Sequence, residues 1–240
     1  MKNYILHLET ATNNCSVALS ANGELAAIKE DNSKGYSHAT LLTVMAEELM
    51  ISQKISFDEL SAVCVNKGPG SYTGLRIGVS AAKGICYAKD IPLIAVDSLF
   101  SLASSCAEEH QSKIIKHAGN GDYYLCPMID ARRMEVYTAI YDNMLNSVKN
   151  IDAEIIDENS FNDLIEQKPF FIFGNGAEKC TEVLSHKNLH FLPGVESSAK
   201  GLISPAYKKF LNKEFEDVAY FEPFYLKDFV AGKPKVKGLR

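Results

Sequence analysis

The stretch Ala62-Val-Cys-Val-Asn-Lys-Gly-Pro-Gly-Ser-Tyr-Thr-Gly-Leu-Arg-Ile-Gly78 joins a short apolar run to a glycine-rich turn and then to a helical pattern. Ala62–Asn66 predicts a buried strand, and Ser71–Lys89 predicts a helix that begins after the Gly-Pro-Gly turn. A strand that leads through a tight turn into a helix is a unit of α/β folds. We therefore expect an α/β protein.

On either side of this unit, strand and helix patterns alternate in a fixed order. Asn22-Gly23 lies between the second and third predicted strands and is a strong hairpin signal. The predicted strands of the first half are Tyr4–Glu9, Cys15–Ala21, Glu24–Glu30, Ala62–Asn66 and Ile91–Val96, and its helices are His38–Ser52, Ser71–Lys89 and Ser98–Glu109. The order is βββαβαβα.

The same order returns in the second half, after a seam predicted at Lys113–Asp122. The predicted strands are Tyr123–Asp130, Glu135–Tyr141, Val148–Ile156, Phe170–Phe173 and Leu189–Leu192, and the helices are Ser160–Gln167, Glu178–His186 and Ser198–Lys213. Two such halves, 1–112 and 113–240, predict the actin-like ATPase (ASKHA) superfamily fold with two RNase H-like βββαβαβα halves. No repeat is visible residue by residue.

Charge and composition exclude several classes of protein. The 240 residues carry a net charge of −5, which argues against a protein that binds nucleic acid by itself. Residues 227–240 nevertheless carry +4, either as a solvated terminus or as an RNA-contacting arm. No apolar run approaches the roughly 18 residues of a membrane span, so we expect a cytoplasmic protein. The six cysteines lack C-x-x-C spacing, which indicates that most of them are buried small hydrophobic residues.

The glycine-rich turn is a candidate anion site. A turn that opens a helix presents free N–H groups and the positive end of the helix dipole. The residues that would bind the anion are Gly70, Ser71, Thr73 and Arg76. However, the spacing matches neither G-x-G-x-x-G nor G-x-x-x-x-G-K-[ST]. A purely structural strand-to-helix turn is the other interpretation.

The helix that follows has an unusual face of small residues. This face consists of Gly74, Gly78, Ala81 and Ala82, at i, i+4 and i+7/i+8 spacing. Each glycine in the interior of a helix lowers its stability by about 1 kcal/mol relative to alanine. Small residues let another backbone come close. That neighbour could be this chain's own sheet or a second subunit, and the pattern alone favours neither.

Two positions weaken the case for catalysis. The first strand ends in Glu9, and no glycine follows until Gly23, so a phosphate loop is not expected there. His38 begins the first helix, but Leu42 stands four residues on, where a second imidazole would complete a metal-chelating pair. We therefore predict no metal site in this chain.

Several of these segments resemble the TsaB family. They are Ile5–Thr12 with Cys15–Leu19, Ser37–Leu42, Gly68–Gly78, Val96–Leu99, Ile129–Arg133 with Glu135–Tyr137, and Pro223–Lys227. Gly68-Pro-Gly-Ser-Tyr-Thr-Gly-Leu-Arg-Ile-Gly78 is the most specific of them. The resemblance is dense over residues 5–141 and thin over 142–222. Glu9 and Tyr72 stand where many members have Asp and Phe.

The resemblance implies a non-catalytic subunit in the synthesis of N6-threonylcarbamoyladenosine at position 37 of tRNAs that read ANN codons. Such proteins pair with a catalytic paralogue, TsaD, or with themselves when alone, through the first two helices; the ATPase TsaE joins the pair. ATP and a metal would then belong to the partner subunits, tRNA would bind only through the complex, and this chain alone would bind no cofactor. On this basis we expect the interface at Leu42, Met45, Gly74, Gly78, Ala81 and Ala82.

Two other functions compete with this one. A small-molecule kinase or ATPase of the same superfamily fits the duplicated element order and the glycine-rich turn. A metallopeptidase is a historical label for relatives of the family, although the missing histidine pair speaks against it.

Overall fold

The computed structural model describes residues 2–33 and 38–227. The basic tail beyond Lys227, and Ser37 of the Ser37–Leu42 motif, lie outside the described residues. Within these ranges every helix is too short or too polar to cross a membrane.

The first half is built on a five-stranded sheet with the order β3-β2-β1-β4-β5. β2 pairs antiparallel with both β1 and β3, whereas β1, β4 and β5 run parallel. Its elements are β1 Tyr4–Glu9, β2 Cys15–Ala21, β3 Glu24–Asp31, α1 His38–Gln53, β4 Leu60–Asn66, α2 Tyr72–Lys89, β5 Leu93–Val96, α3 Ser98–Glu109 and α4 Gln111–Ala118, with a 3₁₀ turn at Phe57–Glu59.

The second half repeats this sheet with the order β8-β7-β6-β9-β10. Antiparallel β6, β7 and β8 are again followed by two parallel strands. Its elements are β6 Tyr124–Asp130, β7 Glu135–Asp142, β8 Ser147–Ile155, α5 Asn162–Ile165, β9 Phe170–Phe173, α6 Ala177–Cys180, β10 Leu189–Leu192, a 3₁₀ turn Ala199–Leu202 and α7 Ile203–Asn212. The predicted duplication of two RNase H-like halves is confirmed.

Several local predictions are confirmed and others are wrong. Asn22 and Gly23 both have positive φ, as a tight hairpin turn requires, and all six cysteines are buried and unpaired. The first residues of the predicted seam at Lys113–Asp122 form part of the helix α4. The helices predicted over Ser160–Gln167 and Glu178–His186 shrink to single turns.

Each sheet has apolar side chains on both faces, and the covering helices cross the boundary between the halves. α1 and α2 cover the face of the first sheet that carries Leu6 and Leu8 of β1. The opposite face, which carries Ile5, is covered by the 3₁₀ turn Ala199–Leu202 and α7 from the second half. In return, α3 of the first half packs on β6 and β7 of the second sheet. This exchange of helices ties the two halves together.

The approach of α2 to the end of β1 is unusually close. A Cβ at Gly74 would lie 2.0 Å from the Thr10 carbonyl oxygen, and one at Gly78 would lie 2.4 Å from Thr10 Oγ1. The Thr10 hydroxyl donates a hydrogen bond to the Gly74 carbonyl over 2.8 Å. Glycine is required here because no side chain fits between helix and strand. Among residues 2–33 and 38–227, by contrast, no atom lies within 4 Å of the Cβ position of Gly84 in the same helix.

This contrast gives a matched pair of substitutions in one helix. Gly74→Ala should lower the free energy of unfolding by about 2 kcal/mol or more, since the added methyl collides with rigid backbone. Gly84→Ala should raise it by up to about 1 kcal/mol, since the methyl meets open space and alanine favours the helix. Urea unfolding of both variants checks the prediction. A Gly74→Ala protein as stable as Gly84→Ala would contradict the packing described here.

Candidate functional site

A cleft of about 510 Å³ opens between the two halves. One wall is formed by the β1–β2 loop, Ala11–Asn13, and the start of α2, and the other by the β6–β7 hairpin with Asn175. Gly70, Ser71 and Thr73 line this cleft, but Arg76 does not. Arg76 instead lines a second groove and lies over the Tyr72 ring, 5.5 Å from its centroid. The structure therefore brings only three of the four predicted anion-binding residues to one place.

The start of α2 already makes hydrogen bonds within the chain. The Ser71 N–H donates to the Ala11 carbonyl over 2.7 Å, and the Gly74 N–H donates to Ser71 Oγ over 3.2 Å. The loop that approaches α2 is itself held by His38, whose Nε2 donates to the Thr12 carbonyl over 2.8 Å. Two of the N–H groups on which an anion site would depend are thus used by the protein itself. An anion site here stays a prediction.

Glu9, the acidic residue at the end of β1, is fully buried and faces the protein rather than the cleft. Its Oε1 accepts a hydrogen bond from the Ala11 N–H over 2.7 Å, and its Oε2 accepts one from the Asn66 amide. Asn66 Oδ1 in turn accepts from the Ser98 hydroxyl over 2.5 Å and from the Gly68 N–H over 2.9 Å. This network joins β1, β4, α3 and the Gly-Pro-Gly turn, and it engages both Glu9 oxygens within the protein.

Burial raises the pKa of Glu9 from 4.5 to about 7, although the hydrogen bonds from Ala11 and Asn66 oppose the shift. A raised folded-state pKa means that the folded protein holds the proton more tightly than the unfolded chain. The resulting stabilisation is complete below pH 4.5 and is lost as the pH rises through 7. Apart from the position of Glu9 at a strand end, nothing in the sequence indicates that this carboxyl is buried.

Glu9→Gln removes this titration and so tests it. Between about pH 5 and about pH 8, we expect the free energy of unfolding of the natural protein to fall by roughly 2–3 kcal/mol relative to that of Glu9→Gln. Buried His7, whose pKa is lowered to about 3, is common to both proteins and cancels. Urea unfolding of both at the two pH values measures the difference, and a pH-independent difference would contradict the assignment.

Most residues of the predicted interface lie inside the first half of the chain, and their role as an interface stays a prediction. Leu42, Met45, Gly74, Gly78 and Ala82 are all buried, and each packs inside the first half. Ala81 is half-buried at the rim of the same core. The small-residue face of α2 is therefore an internal contact with β1, the first of the two interpretations left open by the sequence.

The outward face of α2 has a different set of residues. This face is a row of exposed residues at helical spacing: Thr73, Arg76, Ser80, Gly84 and Tyr87. Tyr87, the last of them, is 84% exposed. Beside it, a mainly apolar groove of about 550 Å³ separates α1 from α2. Its lining residues are Ala39, Leu42, Thr43, Tyr72, Thr73, Arg76, Ile77, Ser80 and Ala81. Two of the six predicted interface residues, Leu42 and Ala81, thus line this groove.

A C-terminal strap, residues 214–227, runs along the first half and crosses to the second. The Glu216 N–H donates to the Leu93 carbonyl (2.9 Å), the Phe224 N–H donates to the Lys67 carbonyl (2.7 Å), and Lys227 pairs with Glu135 of β7. Lys83 of α2 also donates to the Phe221 carbonyl over 2.9 Å. The Pro223–Lys227 motif gives no hint of this role, because such contacts are long-range.

No group of histidine, cysteine, aspartate and glutamate suited to a metal ion exists among residues 2–33 and 38–227. A family model described as "TsaD: tRNA N6-adenosine threonylcarbamoyltransferase" matches residues 33–234.

The chain belongs to this family. Within it, the chain is similar to proteins named tRNA threonylcarbamoyladenosine biosynthesis protein TsaB. It is 27% identical to the one from Haemophilus influenzae over 242 residues, with 95% of each chain covered. It is 27% identical to the one from Escherichia coli, with 95% of this chain and 96% of that protein covered. The resemblance to the TsaB family is confirmed.

Solved structures agree on the fold. A Pseudomonas aeruginosa protein described as similar to peptidase YEAZ superposes with a TM-score of 0.79 at 23% identity, over 94% of this chain and all of that one. A second, described as YeaZ from the same organism, gives a TM-score of 0.75 at 22% identity, over 93% of this chain and all of that one. These proteins share the fold of this chain, in which the βββαβαβα order predicted from the sequence occurs twice.

Proposed function

We propose that this chain is a non-catalytic subunit that pairs with a TsaD-like catalytic paralogue and activates it. The reaction of that complex, joined by a TsaE-like ATPase, is the formation of N6-threonylcarbamoyladenosine at position 37 of tRNAs that read ANN codons. The family model and the names of the full-length relatives support a role in this modification. The observation that carries the pairing role is the outward face of α2.

That face combines three properties of a helix-pairing surface. It is exposed, it borders an apolar groove, and its residues Ser80 and Gly84 are small enough for a partner helix to come close. Gly84 costs the helix about 1 kcal/mol relative to alanine, yet nothing in the part of the chain that the structure describes lies within 4 Å of its Cβ position. A partner that contacts Gly84 accounts for a glycine that the fold of this chain does not use.

The cleft supports the assignment of catalysis to the partner. Glu9 is turned into the protein, and the start of α2 is hydrogen-bonded to the β1–β2 loop. In our proposal ATP and the metal are bound by the partner subunits, this chain alone binds no cofactor, and tRNA is bound only by the complex. The chain pairs with a second copy of itself when alone, and it works in the cytoplasm.

A reconstituted modification assay tests this function. The TsaD-like paralogue, TsaE, ATP and a threonylcarbamoyl donor are incubated with unmodified tRNA, with and without this chain, and the digested nucleosides are measured by mass spectrometry. We expect threonylcarbamoyladenosine only when this chain is present. Equal modification without it would contradict the proposal. Modification of a small molecule by this chain alone, with ATP, would favour the kinase alternative.

Ser80→Arg tests where the partner binds. The arginine side chain would fill the groove between α1 and α2, so we expect at least a tenfold loss of affinity for the paralogue in titration calorimetry, with an unchanged unfolding midpoint. Ser112→Arg, at an exposed position of α4, is the matched control and should bind normally. If both variants bind like the natural protein, the outward face of α2 is not the interface.

A further inference from the structure

A second cavity between the two halves, of about 410 Å³, shares no lining residue with the cleft described above. The first half contributes Asn14, which precedes β2, together with β3 and the C-terminal end of α3. The second half contributes the loop that follows β10. Small-molecule sites often lie where two structural units meet, so we asked which ligand chemistry this cavity would suit.

Asn14 brings to the cavity a side-chain oxygen that has no hydrogen-bond partner. The residue lines the cavity and is only 5% exposed. Its Nδ2 donates to the Ser197 carbonyl over 2.9 Å and to Glu30 Oε1 over 3.2 Å, and these two acceptors fix which way the amide points. Its Oδ1 is buried and accepts no hydrogen bond from the part of the chain that the structure describes. A buried acceptor of this kind is costly unless a donor from outside the chain supplies the missing bond.

Two carboxylates beside Asn14 have no cation to neutralise them. Glu30 Oε1 accepts hydrogen bonds from the Asn14 amide and, over 3.0 Å, from the Ser16 hydroxyl. Glu196 Oε2 accepts one from the Asn32 amide over 3.4 Å. All three donors are uncharged. Among residues 2–33 and 38–227, neither Glu30 nor Glu196 forms an ion pair.

The other ionisable groups that line the cavity leave this negative charge in place. Glu109 forms an ion pair with Lys200 over 2.8 Å. Burial lowers the pKa of His110 below its usual value of 6.5, and the nearby Lys113 lowers it further, so the neutral imidazole prevails at pH 7. With three carboxylates and one lysine, the lining residues carry a net charge of −2.

We propose that this cavity binds a small organic dication that carries N–H donors, of the aliphatic diamine class. Two ammonium groups match the two unpaired carboxylates, and an ammonium beside Glu30 would supply the N–H that Asn14 Oδ1 lacks. A metal ion is a poorer match, since the described residues hold no metal-binding group of histidine, cysteine, aspartate and glutamate side chains. The site does not depend on the proposed pairing with a paralogue.

Binding here would also join the two halves of the chain. Asn14 already connects Glu30 of β3 to the Ser197 carbonyl of the second half. A dication held between Glu30 and Glu196 would add a second connection at the same place. We therefore expect the ligand to stabilise the folded chain in proportion to its binding.

Titration calorimetry of the whole chain with putrescine at low salt tests the proposal. Butane-1,4-diol, which has the same carbon chain but no charge, is the control ligand. The test proteins are Glu30→Gln/Glu196→Gln and Asn14→Ala. Glu158→Gln/Glu182→Gln removes two exposed carboxylates that lie outside the cavity, and so it matches the first test protein in net charge.

We expect one putrescine to bind per chain and the diol not to bind. Glu30→Gln/Glu196→Gln should bind putrescine at least tenfold more weakly, because two charge-assisted hydrogen bonds are lost, and Glu158→Gln/Glu182→Gln should bind it normally. Asn14→Ala should bind it about fivefold more weakly with no change in net charge. Absence of putrescine binding to the natural chain, or an equal loss in both double variants, would overturn the proposal.

Urea unfolding supplies a second readout. Glutamine keeps an acceptor for the donors that Glu30 and Glu196 now engage, so Glu30→Gln/Glu196→Gln should fold even if Asn14→Ala does not. Saturating putrescine should raise the unfolding midpoint of the natural chain but not that of this double variant. An equal rise in both would contradict binding in this cavity.

A parallel titration with magnesium chloride separates an organic dication from a metal ion. We expect no magnesium binding that depends on Glu30 and Glu196. Magnesium binding that Glu30→Gln/Glu196→Gln abolishes, in a chain that does not bind putrescine, would overturn the proposal in favour of a metal site.

Discussion

The contact between Thr10 and the inner face of α2 determines much of this structure. The Thr10 carbonyl oxygen and hydroxyl occupy the space that side chains at positions 74 and 78 would need, so glycine is obligatory there. A helix is rigid about its own axis, so a contact that fixes the position of one face of α2 also decides which of its residues face inward and which face the solvent. It buries Val79 and Ala82 in the core and leaves Ser80, Gly84 and Tyr87 at the surface. The proposed partner surface is therefore a consequence of an internal packing constraint.

The same contact shapes the cleft. With α2 held against β1, its first turn meets the β1–β2 loop, and the Ala11 carbonyl accepts the Ser71 N–H. Glu9 then turns back toward Asn66, where burial raises its pKa to about 7. The Glu9 carboxyl and the first N–H groups of α2 are thus both used to hold the chain's own elements together.

The architecture can be predicted well from the sequence because it follows from local patterns of apolar residues and turn residues. The Asn22-Gly23 turn and the order of strands and helices in both halves depend on periodicity and turn chemistry. The same patterns overestimate the helices of the second half. Phe161, with φ of 65°, stands immediately before α5, and α7 begins only at Ile203, which puts Pro205 in the first turn, where proline is tolerated.

The orientation of α2 could not be decided from its glycines alone, because small residues suit an internal and an external contact equally well. The helical spacing already separates Gly84 from the face that carries Gly74 and Gly78, but it does not say which of the two faces points inward. The strap could not be predicted either. Its bonds join residues such as Lys227 and Glu135 that are far apart in the chain.

The most direct test of this account is light scattering on a sizing column, with the chain alone and mixed with its TsaD-like paralogue. The account predicts that a self-dimer converts to a one-to-one heterodimer, because both pairings use the same outward face of α2. A chain that keeps its mass in the mixture, even with TsaE and ATP added, would contradict the account.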